Sequence, residues 1–222
     1  ESLVKGIWAC NAQEEADKYI SRRTREGGTG MVAFGETASL VNTSASGKDE
    51  TGLGRWTYME LRGKEGHSTM LLVGYCPCKN TSPDNGTSYQ QQRRYFITKE
   101  KRDICPRKRF LIDLVLLLRK WKRAGKRIIV MLDANEDVYK GKIGAALTNS
   151  DGLDMVETVQ EVSRQPLTAT YFRGSKPIDA VWATKDISLI NAAAMPVGYG
   201  VGDHRLFVVD IATDSLVGFQ PQ

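Results

Sequence analysis

The sequence predicts an α/β protein, and two features carry that prediction. Arg127–Leu132 is a short apolar run rich in β-branched residues, which reads as a strand buried on both faces. Just before it, Pro106–Ala124 places Phe110, Leu111, Leu114, Val115, Leu117, Leu118 and Trp121 at helical spacing, so a long amphipathic helix delivers the chain into that strand. The strand stops abruptly at Asp133, Ala134, Asn135, Glu136 and Asp137. Carboxylates and an amide thus stand where a buried strand leaves the core. An Asx-type turn would account for them. Strand ends of open α/β sheets are also where ligands bind, and a second polar cluster, Gly202-Asp203-His204-Arg205, lies near the C-terminus.

A chain of 222 residues can bury a substantial core. One domain is expected over residues 1–214, with a loose tail at 215–222. Hydrophobic content of 41% and charged content of 26% are those expected of an ordinary soluble protein. No apolar run approaches the ~18 residues of a membrane-spanning helix. The opening ESLVKGIW has no basic-then-apolar signal pattern and no initiator methionine, so a fragment is expected. Cys10, Cys76, Cys78 and Cys105 form no CxxC pair and no zinc spacing. Free thiols in a reducing, intracellular compartment are expected, with Cys76-Pro77-Cys78 a faint metal or redox hint. A net charge of +5 and a pI near 9.0 mildly favour polyanionic partners.

Taken in order, Glu14–Arg25 reads as a helix, with Ala16, Tyr19 and Ile20 at helical spacing. Arg22, Arg23 and Arg25 run into Gly27-Gly28-Thr29-Gly30. That group lacks the Lys-Ser/Thr of a phosphate loop, so a turn into a strand at Met31–Phe34 is expected. Asn42–Gly54, rich in Ser, Thr, Gly and Asp, reads as a loop. Trp56–Leu61 and Thr69–Tyr75 read as a hairpin joined through polar Arg62–Ser68, with Trp56 and Tyr58 on one face. Pro77 ends the second strand, and Lys79–Ser88 reads as a long polar loop. Pro106 suits the first turn of its helix and Gly125 the C-terminal cap, while Arg119, Lys120, Lys122 and Arg123 complement the dipole. Further on, Lys140–Thr148 reads as a short helix, Thr168–Phe172 as a strand and Arg173–Lys176 as a turn. Ile178–Ala183 reads as a strand, Val197–Gly202 as a glycine-rich loop and Leu206–Ile211 as the last strand. Asp179 sits in the apolar IDAVWA segment, where a charge is costly unless it is paired or faces outward.

Strand ends thus present Asp133 with Asn135, then Asp179, then Asp203 with His204. One histidine among several acids suits attack of water on a phosphate ester. An imidazole oriented by a carboxylate can accept a proton or steady charge. Carboxylates can hold Mg²⁺, which neutralises charge building on a phosphate. His67 sits in a polar hairpin and is expected to be merely exposed.

Tyr75-Cys76-Pro77, Leu132-Asp133-Ala134-Asn135, Pro177-Ile178-Asp179 and Gly202-Asp203-His204-Arg205 stand in an order and spacing that resembles the endonuclease/exonuclease/phosphatase superfamily, the group of pancreatic deoxyribonuclease and the abasic-site endonucleases. The stretches GLGRWTYMELRG, SYQQQRRYF, PRKRF and FRGSKPID resemble one subgroup more closely, the retrotransposon-linked endonuclease-like domains of protists. The resemblance runs from about Gly27 to Ile211.

The resemblance implies a four-layer α/β sandwich of the deoxyribonuclease I type, two mixed sheets face to face with helices outside. It implies a metal-dependent phosphodiesterase, a DNA endonuclease associated with a retroelement, acting by in-line attack of water with Mg²⁺ or Mn²⁺. By the same resemblance Asp133 activates the water, Asn135 binds the phosphate, Asp179 orients His204, His204 meets the scissile phosphate and Tyr75 hydrogen-bonds it. Asp203 and Asp133 are the implied metal ligands. The family opens with a strand bearing an Asn and a second bearing a metal-binding Glu. The first is absent from this sequence, and Glu1, with Trp8 a few residues on, is the candidate for the second. The implied partners are the DNA phosphate backbone and a reverse transcriptase, fused or working alongside. No membrane is expected, and a monomer acting inside the cell, in the nucleus, is. Two other readings stay open: a phosphatase or phosphodiesterase of the same fold on a small or lipid phosphate, and a catalytically degenerate domain that binds nucleic acid.

Overall fold

A computed structural model describes residues 3–10, 28–80, 86–200 and 202–218. The expected helix Glu14–Arg25, with its arginines, and the candidate ligand Glu1 lie outside the described residues. The chain opens with an antiparallel hairpin of β1 (Val4–Cys10) and β2 (Gly28–Phe34). A short helix, α1 (Gly35–Leu40), leads to β3 (Val41–Lys48), β4 (Trp56–Arg62) and β5 (Ser68–Tyr75). Helices α2 (Ser88–Glu100) and α3 (Pro106–Arg123) carry the chain across to β6 (Arg127–Asp133), which lies parallel to β5. A parallel neighbour needs such a crossover, and the long helix expected from the sequence supplies it. Then come α4 (Lys142–Thr148), β7 (Met155–Glu157), α5 (Thr158–Ser163) and β8 (Asp179–Thr184). A second antiparallel hairpin, β9 (Leu189–Ala194) with β10 (Phe207–Ile211), and α6 (Thr213–Val217) close the described chain. The large sheet runs β3-β4-β5-β6-β8-β7 and is mixed.

Strand alternation divides the faces of this sheet. Met70 and Leu72 of β5, Ile128, Val130 and Leu132 of β6, and Ala180 and Trp182 of β8 meet Phe110, Leu114, Leu118 and Trp121 of α3 in one core. Trp56 and Tyr58 share that face, edge-on to Phe110 and Trp121 with ring centroids 5.5 and 5.0 Å apart. Burying each large apolar side chain there stabilises the fold by about 1.5–3 kcal/mol. The opposite face carries the hairpins. Met59 and Leu61 pack with Ala33 and Val41 near β1 and β2, while Ile129, Val181 and Ala183 pack with Phe207 and Val209 of β10. Among the described residues the second strand layer is therefore two antiparallel hairpins, where one continuous mixed sheet was expected. Between them lies a groove of about 650 Å³, bordered by Gly28–Gly30 of β2 and by β10, and floored by Leu71, Val73, Ile129 and Met131.

Some local expectations fail for identifiable reasons. Asn42–Gly54, expected as a loop, contributes most of β3: the Asn42 amide donates to buried Glu60, and the ladder to β4 slips register between Asn42 and Gly47. Pairing here overrides poor local propensity. Ser88, assigned to a polar loop, begins α2, which buries Gln90, Gln91 and Gln92 beside Tyr89 and Phe96 and is capped by Thr87 Oγ1 accepting from Gln90 N. Thr168–Phe172 yields only an isolated bridge, Tyr171 to His204. The tail expected to be loose folds as α6 up to Val217. Lys64 N donates to Val217 O at 2.9 Å and Thr69 Oγ1 to Leu216 O at 2.5 Å, so the β4–β5 hairpin holds it. No helix among the described residues is long and apolar enough to cross a membrane. Cys76, Cys78 and Cys105 are free thiols.

Candidate active site

Register builds the site. Tyr75 stands opposite Asp133, and Asp133 opposite Asp179, so one row crosses β5, β6 and β8. Alternation places Asp133 with Ile129 and Met131, and Asp179 with Val181, on the hairpin face. All three line the groove.

The segment before β10 brings the remaining groups. Phe172 N donates to Asp203 O and Arg205 N to Thr170 O, both at 2.8 Å. This bridge sets the His204 ring beside Tyr171, centroids 5.1 Å apart. His204 Nδ1 lies 2.9 Å from Asp179 Oδ2 and 3.1 Å from Oδ1. Nδ1–H donates to the carboxylate, which fixes the ring and turns Nε2 away from Asp179. The charge of Asp179 in an apolar strand is thereby paired. Buried Thr170 holds it in place, its Oγ1 accepting from Ile178 N at 2.9 Å and from Asp179 N at 3.1 Å.

Asn135 occupies the left-handed region at φ 47°, which Asn tolerates better than most residues. Its backbone N–H donates to Asp133 Oδ1 at 3.0 Å. Its Nδ2 donates to Asp133 Oδ2 at 3.1 Å and to Cys76 O at 2.9 Å. Both amide hydrogens thus find acceptors within the protein, one of them the Asp133 carboxylate. Behind this turn, Arg107 in the first turn of α3 donates to Pro77 O at 2.9 Å, Ala134 O at 3.0 Å and Glu136 Oε2 at 2.8 Å. It ties the segments after β5 and β6 to one helix. Sequence reading missed Arg107 and Thr170, because an Arg in the basic run PRKRF and a Thr in TATYF look like surface residues.

Electrostatics separate the acids. Burial pushes the Asp133 carboxyl up to about 6, and the charge of Asp179 pushes the same way against the Asn135 N–H, His204 and Arg107. At His204 burial disfavours the charged ring, yet the Asp179 hydrogen bond and charge, with Asp133 and Asp203, hold it above its ordinary value. Burial also raises the Tyr75 phenol, opposed by a hydrogen bond with Ser88. Asp133, Asp179 and His204 offer ligand atoms all within 4.8 Å of one another, a carboxylate–imidazole donor set that suits a divalent cation. Asp203 stands at the margin: its Oδ1 is 4.0 Å from His204 Nε2 and its side chain is 62% exposed. His67 lies apart in the β4–β5 connection, bonded to Lys64 O.

The chain matches no family model, and no curated protein matches it. Solved structures do resemble it. The human Nocturnin catalytic domain with bound sulfate anion matches 95% of this chain and 72% of its own, at 14% identity and a TM-score of 0.61. The 3′ phosphatase NExo from Neisseria, bound to product DNA hairpin, matches 95% of this chain and 80% of its own, at 11% identity and a TM-score of 0.55. The endonuclease/exonuclease/phosphatase from Bacteroides vulgatus matches 95% and 76%, at 13% identity and a TM-score of 0.53. These likenesses establish the fold, the deoxyribonuclease I-like α/β sandwich.

Proposed function

We propose that this chain is a metal-dependent phosphodiester hydrolase acting on DNA, an endonuclease that serves a retroelement. The observation that carries the reading is the convergence of Asp133, Asp179 and His204 at one end of the groove. Asp133 and Asp179 would hold Mg²⁺ or Mn²⁺, with Asp203 at the margin, and a bound ion would neutralise charge on the scissile phosphate. Asp133, held by Asn135, positions the attacking water and accepts its proton. Asp179 steers the imidazole, and His204 presents Nε2 to the phosphate to steady the charge that builds there. The Tyr75 hydroxyl donates to a phosphate oxygen.

A margin as exposed as that at Asp203 fits a polymer better than a small phosphate enclosed in a pocket. The net charge of +5 supports an anionic polymer, and NExo is seen bound to product DNA hairpin. The retroelement link, with a reverse transcriptase as partner and the nucleus as place of action, rests on the stretches GLGRWTYMELRG, SYQQQRRYF and FRGSKPID. The test is supercoiled plasmid incubated with the protein in Mg²⁺, in Mn²⁺ and in EDTA. Nicking with either metal and none in EDTA is expected; equal nicking in EDTA would sink the reading.

A further inference from the structure

Phe172 and Tyr199 are aromatic rings beside the site that find no place in the core. Phe172 is 66% exposed and Tyr199 is 68% exposed, whereas Tyr171 is half-buried against His204. Both rings sit on segments that lean on Asp203–Leu206. The Phe172 N–H donates to Asp203 O at 2.8 Å. Tyr199 precedes Gly200, which packs so closely that a Cβ there would stand 3.3 Å from Leu206 Cβ and 3.6 Å from His204 O. Arg173 and Lys176, exposed in the same turn as Phe172, add cations to this rim.

We propose that Phe172 and Tyr199 are a stacking platform for unpaired bases beside the scissile phosphate, so that the preferred substrate is single-stranded or locally unpaired DNA. This deepens the reading of the chain as a DNA hydrolase and rests on it. A base inside a duplex already has both faces covered by its neighbours, so only an unpaired base can offer a face to a protein ring. Stacking tolerates any base, because every base has such a face. Arg173 and Lys176 are placed to meet the flanking phosphates, which makes the rim a match for a strand rather than for an uncharged apolar partner.

The test is binding in EDTA, where no cleavage step intervenes. The probe is a short single-stranded DNA carrying 2-aminopurine, whose fluorescence falls when it stacks. The wild-type chain should quench it, and should bind it more tightly than the matching duplex or an abasic strand of the same length. Phe172→Ala or Tyr199→Ala should weaken binding by about 5–150-fold, the equivalent of ~1–3 kcal/mol for one stacked base, and should erase the preference over the abasic strand. Phe172→Trp should retain both. Side chains this exposed can be truncated without opening the core, and unchanged thermal melting would show that the variants fold. Alanine variants that bind and quench like wild type, or a wild type that prefers duplex, would overturn the platform. A wild type that discriminates in this way yet never cleaves the single-stranded DNA in Mg²⁺ or Mn²⁺ would keep the platform and sink the hydrolase reading.

Discussion

The two ends of β5 and β6 treat buried acid in opposite ways. Near their N-terminal end, Glu60 of β4 accepts from Ser68 Oγ and Lys126 Nζ, each at 2.5 Å, and from the Asn42 amide. Burial alone would raise this carboxyl, but Lys126, Ser68 and Asn42 take it down to about 2. At the C-terminal end Asp133 faces Asp179 across the ladder and is pushed up to about 6. One sheet thus holds a carboxylate whose partners satisfy it and a carboxylate crowded by its own kind. The first arrangement stabilises the fold. The second stores repulsion that a cation or a proton relieves, which is how functional sites differ from structural ones.

The largest effect should come from breaking the crowded end. His204→Ala should slow single-turnover cleavage of a DNA oligonucleotide by ~10²–10⁴-fold. Binding in EDTA should hold steady, because Lys and Arg contacts to phosphates carry it. Equal loss of binding and rate would make His204 a binding residue only.

Breaking the satisfied end should cost stability and spare cleavage. Lys126→Met leaves Glu60 buried without its cation, and urea denaturation at neutral pH should show a loss of about 2–3 kcal/mol. An unchanged midpoint would mean that Ser68 and Asn42 suffice.

Relieving the crowded end should do the reverse. Asp133→Asn should stabilise the metal-free protein by about 1–3 kcal/mol above pH ~7, with the gain vanishing below pH ~4. The sign follows from the raised carboxyl: between its ordinary 3.8 and about 6 the native state binds the extra proton, so stability falls as pH rises through that window. A gain of the same size at both pH values would point to something other than charge.

The smallest effect concerns the acid limb. Glu60 is depressed, so its contribution is complete above its ordinary 4.5 and is lost as pH falls toward about 2. Glu60→Gln should flatten the pH dependence of stability over that interval in urea titrations. An unaltered acid limb would assign it to other carboxylates.

How far the sequence reveals the molecule also differs between the two ends. The crowded end is legible: Asp133 follows an unmistakable buried strand, and Asp179 is a costly charge in an apolar run, so both demand an explanation. The satisfied end is not. Asn42 lies in a Ser/Thr-rich stretch that reads as loop, and Lys126 reads as the residue after a helix. What joins them is tertiary: β3 pairs with β4 against its propensity, and partners far apart in sequence meet at Glu60. The same limit hid α2, which buries three glutamines along with Tyr89 and Phe96, and Arg107, whose value is in three backbone and side-chain acceptors that only the fold assembles. The partners of Asn135 turned on geometry too, since residue type alone cannot say which acceptors take its amide hydrogens.

The most direct test of the proposed site is the single-turnover rate of DNA cleavage by Asp133→Asn beside wild type, in the same Mg²⁺ buffer. Asn keeps the size of Asp133 but can neither accept the proton of water nor carry charge. The rate should drop at least ~10²-fold while affinity in EDTA holds or tightens, because an anion facing an anionic substrate has been removed. A variant that cleaves as fast as wild type would place the chemistry elsewhere on the molecule.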